Sequence, residues 1–371
     1  MKTLVISFLF LLIPLMFSCS SDNEIIEEVV IEEPDPDTTD QNTLYFPPIN
    51  SSLWETTSIE NLNWNGNAEQ PLYDFLEEKN TKAFIILKNG RIVIEKYFNG
   101  GTPSDNNPWY SAGKTLTAFT TGLAQQEGLL DINQTSASYL GDGWANITTD
   151  QQNAITVKNH LTMTSGLNYN VANQNCTDFD CLTYFNEPGS FWYYHNAAYT
   201  LLTDIVAGAV NMDYSTYFDS RLKNRIGMNG AWVRLGYANI YYSTARSMAR
   251  FGLLNLHKGT WNTTAILTDE NYFTEMTTTS QDLNKSYGYL WWLNGKSSFR
   301  TPALETEFSG ELIPDAPDDL IAGLGKNDQK LYVVPSQNLV IVRMGDDAGQ
   351  TLLGPSGFDN ELWIKINKLI N

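Results

Sequence analysis

Two stretches near the ends of this chain carry the clearest strand pattern. From Lys82 to Phe98, KAFIILKNGRIVIEKYF sets β-branched, apolar runs on both sides of Asn89-Gly90. An Asn-Gly pair tolerates positive φ at both central positions of a tight turn, so this stretch predicts an antiparallel hairpin. KLYVVPSQNLVIVRMG, residues 330–345, repeats the pattern with a turn at Pro335-Ser336. Between these strand pairs the periodicity becomes helical. Ser111 to Glu127 predicts one helix, ITVKNHLTMTSGL reads as helical or irregular, and NAAYTLLTDIVAGAV has the spacing of a buried helix. NELWIKINKLI predicts a closing amphipathic helix. Strands at both ends with helices between predict an α/β (α+β) protein: an antiparallel sheet drawn from both termini, flanked by helices, with an inserted helical subdomain.

The N-terminal region reads differently. Residues 1–19, MKTLVISFLFLLIPLMFSC, have one Lys, an apolar run and then Ser18-Cys19, the layout of an export signal. Met16-Phe17-Ser18-Cys19 resembles a bacterial lipobox, which makes Cys19 the expected lipidated residue and the outer membrane, periplasmic or cell-surface side, the expected location. Residues 20–44 hold Pro34, Pro36 and a run of acids and read as a disordered spacer. The folded body is then 45–371, with the sheet from about 45–115 and 231–371 and the helical region from about 116–230.

Composition sharpens this. Of 371 residues, 42% are hydrophobic and 12% aromatic, enough for a large core. Net charge is −19, yet nine acids fall between Asp22 and Asp40 with no Lys or Arg among them, so about half the excess is local. No basic patch is present, which argues against a nucleic-acid partner. Cys176 and Cys181 lie in NQNCTDFDC; outside the cytoplasm they are expected to form a disulfide. A metal site there is the alternative, but no His or third Cys is near, and none is expected.

The candidate chemistry starts from Ser-x-x-Lys, which occurs as Ser111-Ala-Gly-Lys114 and Ser220-Arg-Leu-Lys223. The second sits among Asp219, Arg221 and Arg225, as on a solvated helix face. The first precedes a small, apolar run suited to a buried helix. A serine at a helix start lies beside backbone N–H groups without intrahelical partners, and Lys114 returns to its face one turn on. Burial and the positive end of the helix dipole favour a neutral amine able to take the serine proton. The plainer reading is an N-cap serine followed by a snorkelling lysine. A second proton carrier is sought among four Tyr-x-Asn triplets, at Tyr97, Tyr184, Tyr194 and Tyr237. Tyr194-His195-Asn196 is favoured because Pro188-Gly189 make a turn before it and a helix follows.

With these residues in place the chain resembles a family. Ser111-Ala-Gly-Lys114, LTMTSGL (161–167), EPGSFWYYHNAAYTLL, YYSTARSMARFGLL (241–254), YGYLWWLNG (287–295) and KLYVVPSQNLVIVRMG look like the serine hydrolases of the β-lactamase and penicillin-binding-protein superfamily. Within it the likeness is to the class C-related esterase, amidase and 6-aminohexanoate-dimer-hydrolase group, over roughly residues 50–371. The resemblance implies Ser111 as nucleophile, Lys114 as base, Tyr194 in proton relay, and Asn196 holding Lys114 or the substrate. It places the third family motif, a Lys-Thr-Gly or His-x-Gly on an inner strand, at Gly323-Leu324-Gly325. That implies Gly323 and Gly325 at the substrate and the backbone N–H groups of Ser111 and Lys326 as oxyanion donors. No cation stands at the first position, which counts against recognition of the carboxylate of a β-lactam or peptidoglycan stem.

The expected reaction is hydrolysis of a small-molecule or short peptide ester or amide through an acyl-enzyme, without metal or organic cofactor. A β-lactamase or D,D-peptidase is the enzymatic alternative, and a catalytically idle surface binding lipoprotein is the other. A Ser-His-Asp hydrolase has only His160, His195 and His257 to draw on and no Gly-x-Ser-x-Gly elbow. A zinc enzyme lacks a His-x-x-x-His pair.

Overall fold

The computed structural model describes residues 43–349 and 354–371. Cys19, the signal and nearly all of the acidic spacer lie outside the described residues. Thr43 and Leu44, which composition assigns to the spacer, already belong to the folded body: the Thr43 carbonyl accepts a 2.8 Å bond from Arg91 Nη1 and Leu44 packs on the core.

The Asn-Gly hairpin forms as β1 (Thr81–Lys88) and β2 (Arg91–Tyr97). Asn89 and Gly90 have φ of 50° and 78°, the left-handed pair that a two-residue hairpin turn requires. β1 does not stop at its hairpin partner. Its other edge pairs antiparallel with β6 (Leu339–Gly345), Thr81 opposite Gly345 and Lys88 opposite Leu339, so the early and late strands of the described body meet in the interior of one sheet. With β3 (Trp292–Leu293), β4 (Ile321–Gly325) and β5 (Gln329–Val334) the sheet runs β2-β1-β6-β5-β4-β3, each pair antiparallel.

Continuous burial along β1, β5 and β6 shows that both faces are covered, which explains runs such as AFIIL and LVIVRM in place of strict alternation. On one face lie α1 (Glu69–Glu78) and α5 (Gly357–Ile370), joined by Phe75 stacked on Phe358, with Trp363 of α5 edge-on to Tyr332 of β5. On the other lies α4 (Ala245–Leu256), against β1, β5 and β6. Residues 231–243, which the sequence reading gives to the sheet region, instead form a hairpin, Ala231–Leu235 and Ala238–Ser243, in a separate three-stranded sheet with Asn107–Pro108.

Two more helices carry the site. α2 (Lys114–Gln126) is buried from Lys114 to Ala124, and two of its threonines satisfy their hydroxyls within the helix: Thr120 Oγ1 donates to the Leu116 carbonyl at 2.7 Å and Thr121 Oγ1 to that of Thr117 at 2.9 Å. α3 (Asn196–Val210) spans the NAAYTLLTDIVAGAV run and ends at Asn211, left-handed with φ 49°.

Candidate active site

The nucleophile segment is fixed from its N-terminal side. Trp109 is fully buried; its backbone N–H donates to the Tyr241 carbonyl at 2.8 Å and its Nε1 to Ser243 Oγ at 2.8 Å. Tyr110 then turns the chain with φ 46°, a left-handed conformation that costs about 1–2 kcal/mol for a residue with a β-carbon. Tyr110–Gly113 forms one turn of 3₁₀ helix before α2 begins. With three residues per turn, positions i and i+3 eclipse, and this superposes the two side chains. Lys114 Nζ lies 3.2 Å from Ser111 Oγ.

Lys114 is only 4% exposed. Its amine donates to Asn196 Oδ1 at 3.0 Å, and it lies 4.1 Å from the ring centre of Tyr199 and 5.0 Å from that of Tyr194. The two aromatic faces favour the ammonium form, but no carboxylate forms a salt bridge with it among the described residues, and burial outweighs them. Desolvation lowers its pKa from 10.5 to about 7.

The Tyr194 hydroxyl faces Ser111; burial raises its pKa, and the hydrogen bond with Ser111 offsets part of the rise. Tyr194 stacks on Trp292 and packs against Trp192 and Tyr287, so its ring is held on several sides. A cavity of about 290 Å³ opens here, lined among others by Ser111, Lys114, Tyr194, Asn196, Asn239 and Lys326. A larger groove, about 590 Å³, runs beside Asn65, Pro71 and Lys368, with no serine in its lining. Chemically the smaller cavity offers a hydroxyl, an amine that loses its proton near neutrality and a phenol that keeps its own.

The model of the β-lactamase family matches residues 76–351. The chain belongs to the β-lactamase family. Among solved structures it is similar to a candidate 6-aminohexanoate-dimer hydrolase from Bacillus anthracis, with 21% identity over 88% of this chain and 89% of that one and a TM-score of 0.65. It is also similar to a candidate β-lactamase from Bacteroides dorei, with 14% identity, 83% and 99% coverage and a TM-score of 0.67. A β-lactamase/D-alanine carboxypeptidase from Pseudomonas syringae gives 16% identity, 83% and 99% coverage and a TM-score of 0.59. At such identities the likeness speaks for the fold, an antiparallel sheet with helices. No curated protein matches the chain in sequence. Membership of the family supports a serine hydrolase.

In this β-lactamase-family protein the strand triplet Gly323-Leu324-Gly325 runs against the nucleophile turn, directly before Lys326 of the cavity wall. A side chain on either glycine would face the nucleophile segment. A β-carbon on Gly325 would stand 2.4 Å from the Trp109 carbonyl oxygen and one on Gly323 3.3 Å from Thr115 Cγ2. Their missing side chains let β4 pass against the 3₁₀ turn, and the next residue, Lys326, emerges exposed at the cavity. Ser111 lies in the first turn of its helix, where N–H groups have no intrahelical acceptor.

The remaining candidates fall elsewhere. Lys223 pairs with Asp219 and donates to the Gly230 carbonyl, while Ser220 Oγ donates to the Tyr217 carbonyl, so the second Ser-x-x-Lys is structural. Tyr97 donates to Glu95 at 2.5 Å, Tyr184 is bonded to Glu187, and Tyr237 donates to Asp178; of the four triplet tyrosines only Tyr194 meets Ser111. His160 is buried with Nδ1 2.8 Å from the Ala198 carbonyl, and burial lowers its pKa and that of His195 to about 4. His257 Nδ1 lies 2.9 Å from the Thr260 carbonyl. Cys176 and Cys181 are joined in a disulfide with Cα atoms 5.9 Å apart, beside Asn175 of the cavity wall. No group of three or more metal-ligating side chains occurs among the described residues.

Sequence reasoning missed Tyr199, Tyr110, Asn175 and Asn239. Tyr199 reads as one more apolar position of α3; its place three residues after Asn196, one helical turn on, is the signal that puts it on the same face.

Proposed function

We propose that the chain hydrolyses an ester or amide through an acyl-enzyme on Ser111. The observation that carries this is the buried Lys114 amine, 3.2 Å from Ser111 Oγ and with its pKa lowered to about 7. In its neutral form Lys114 takes the serine proton as Oγ attacks the carbonyl carbon. The oxygen that becomes negative is met by the backbone N–H groups of Ser111 and Lys326. Tyr194, a phenol kept protonated by burial, passes a proton to the leaving group and back from the water that releases the acid. Asn196 keeps the Lys114 amine aimed at the serine.

The substrate class is a small ester or amide, including short peptide amides, sooner than a β-lactam or a peptidoglycan stem. Gly323 at the first position of the strand triplet supports this, because no cation stands there to meet a carboxylate. Export with lipid attachment at Cys19 is part of the proposal; the Cys176–Cys181 disulfide fits an oxidising compartment. No helix of the described residues is long and apolar enough to cross a membrane.

Turnover of p-nitrophenyl acetate, a p-nitroanilide and a chromogenic cephalosporin tests the reading. Ester turnover that falls at least about a thousandfold in Ser111→Ala supports it. Cephalosporin turnover exceeding ester turnover moves the assignment to a β-lactamase, and Ser111-independent turnover refutes the acyl-enzyme.

A further inference from the structure

The turn that carries Lys326 rests on a cluster of buried charge that the reaction above does not use. Lys330 of β5 is 0% exposed, and its Nζ lies 3.1 Å from Asp328 Oδ1, 2.8 Å from Asp359 Oδ2 and 3.0 Å from the Gly354 carbonyl oxygen. Asp359, in the first turn of α5, accepts from the Tyr332 hydroxyl at 2.5 Å on its other oxygen. Asp328 accepts from Ser356 Oγ at 2.7 Å and from the Ala348 N–H at 3.2 Å. A second buried cation, Arg343, donates to the carbonyls of Asn327 at 2.7 Å and Asp328 at 3.1 Å.

What this cluster grips is the connection between β4 and β5. Asn327 and Asp328 both hold positive φ, 58° and 55°, a conformation that residues with β-carbons keep only when their surroundings impose it. Two carboxylates and two cations taken out of water are a poor source of stability, since apolar residues of the same volume fill such space at less cost. What they supply is direction: one placement of Asp328 satisfies Lys330, Ser356 and Ala348 together, and Arg343 fixes the two carbonyls that follow Lys326.

We propose that the Asp328, Lys330 and Asp359 cluster holds the Lys326 backbone N–H where the oxyanion forms, making Lys330 and Asp359 positioning residues for catalysis. The inference rests on the acyl-enzyme reading above. A preorganised donor is worth a large factor in rate only while its direction is fixed, and loss of one such donor costs about 10²–10³. A turn that wanders loses part of that factor although every atom of the donor is still present.

The test compares p-nitrophenyl acetate with its thiono analogue, in which sulfur, a weak acceptor, replaces the carbonyl oxygen. Lys330→Met with Asp359→Asn removes one charge of each sign, and Ser356→Ala is the milder variant, taking one bond from Asp328. The double variant is expected to lower kcat for the oxygen ester with KM within about twofold, and to reduce the oxygen-to-thiono rate ratio by about tenfold or more. Ser356→Ala shifts the ratio the same way by a few-fold, and it decides alone if the double variant does not fold. An unchanged ratio in a folded variant, whatever its loss in Tm, makes the cluster merely structural and overturns the inference. Absence of Ser111-dependent ester turnover in the unaltered protein is a separate result, which overturns the acyl-enzyme reading and this inference with it.

Discussion

The amine of Lys114 stands 3.2 Å from the hydroxyl oxygen of Ser111, and no carboxylate forms a salt bridge with it among the described residues. Burial therefore sets its protonation, and its pKa falls to about 7. A base works only without its proton. The rate of ester hydrolysis is expected to climb close to tenfold per pH unit below about pH 7 and to level off above it. A profile of kcat/KM from pH 5 to 9 checks this, and a flat profile contradicts it.

The same amine makes the folded state pay in stability. Unfolded, Lys114 keeps its proton up to its ordinary 10.5; folded, it releases it at about 7. Between these values the unfolded chain binds one proton more, so stability rises with pH across that window. The penalty is fully present below pH 7 and gone above 10.5; at 1.36 kcal/mol per pH unit it amounts to roughly 5 kcal/mol. Lys114→Met is expected to raise the unfolding free energy by a few kcal/mol at pH 6, to lose that gain towards pH 10.5, and to abolish hydrolysis. Urea unfolding of both proteins at the two ends of the window reads it out.

Gly325 and Gly323 separate by size of effect. A methyl group on Gly325 meets backbone, the Trp109 carbonyl at 2.4 Å and the Ala112 nitrogen at 3.1 Å, so β4 and the nucleophile turn must part. Gly325→Ala is expected to cost about 1–3 kcal/mol and to reduce activity by about a hundredfold. On Gly323 the nearest atom is a side-chain methyl at 3.3 Å, which can give, and Gly323→Ala is expected to cost under about 1 kcal/mol. Thermal unfolding and ester turnover of the two variants distinguish them; equal effects would contradict the packing role.

The disulfide loop is expected to bear on substrate binding more than on chemistry. Asn175 lines the cavity next to Cys176, and within the loop Asp178 accepts from Tyr237 of the opposite hairpin. Replacing Cys176 and Cys181 by Ser is expected to raise KM several-fold with kcat little changed and to cost about 2 kcal/mol. Tyr237→Phe raises KM less. A fall in kcat at constant KM contradicts this division.

Much of this was legible in the residue pattern, for identifiable reasons. Asn89-Gly90 dictates its own hairpin, the α3 run is apolar at helical spacing throughout, and Ser111 and Lys114 sit in a helix whose small residues announce burial. The family likeness rests on the Ser111–Lys114 segment, on EPGSFWYYHNAAYTLL and on four further stretches, LTMTSGL, YYSTARSMARFGLL, YGYLWWLNG and KLYVVPSQNLVIVRMG. What escaped depends on the path of the chain. A 3₁₀ start at Tyr110 has no composition of its own, yet it is what eclipses Ser111 and Lys114. The sequence favours Tyr194-His195-Asn196 over Tyr237-Ala-Asn239, yet Asn239 also reaches the cavity although Tyr237 does not. Nothing in the sequence pairs Lys330 with Asp359; only the packing of α5 on β5 brings them together. Residues 231–243 do form strands, but they pair with each other and with Asn107–Pro108.

The central claim is a covalent acyl-enzyme on Ser111, and intact-mass analysis after incubation with a fluorophosphonate, followed by peptide mapping, addresses it most directly. The account predicts one adduct, on Ser111, absent in Ser111→Ala and slowed at pH values well below 7. An unmodified protein, or an adduct on any other residue, would contradict it.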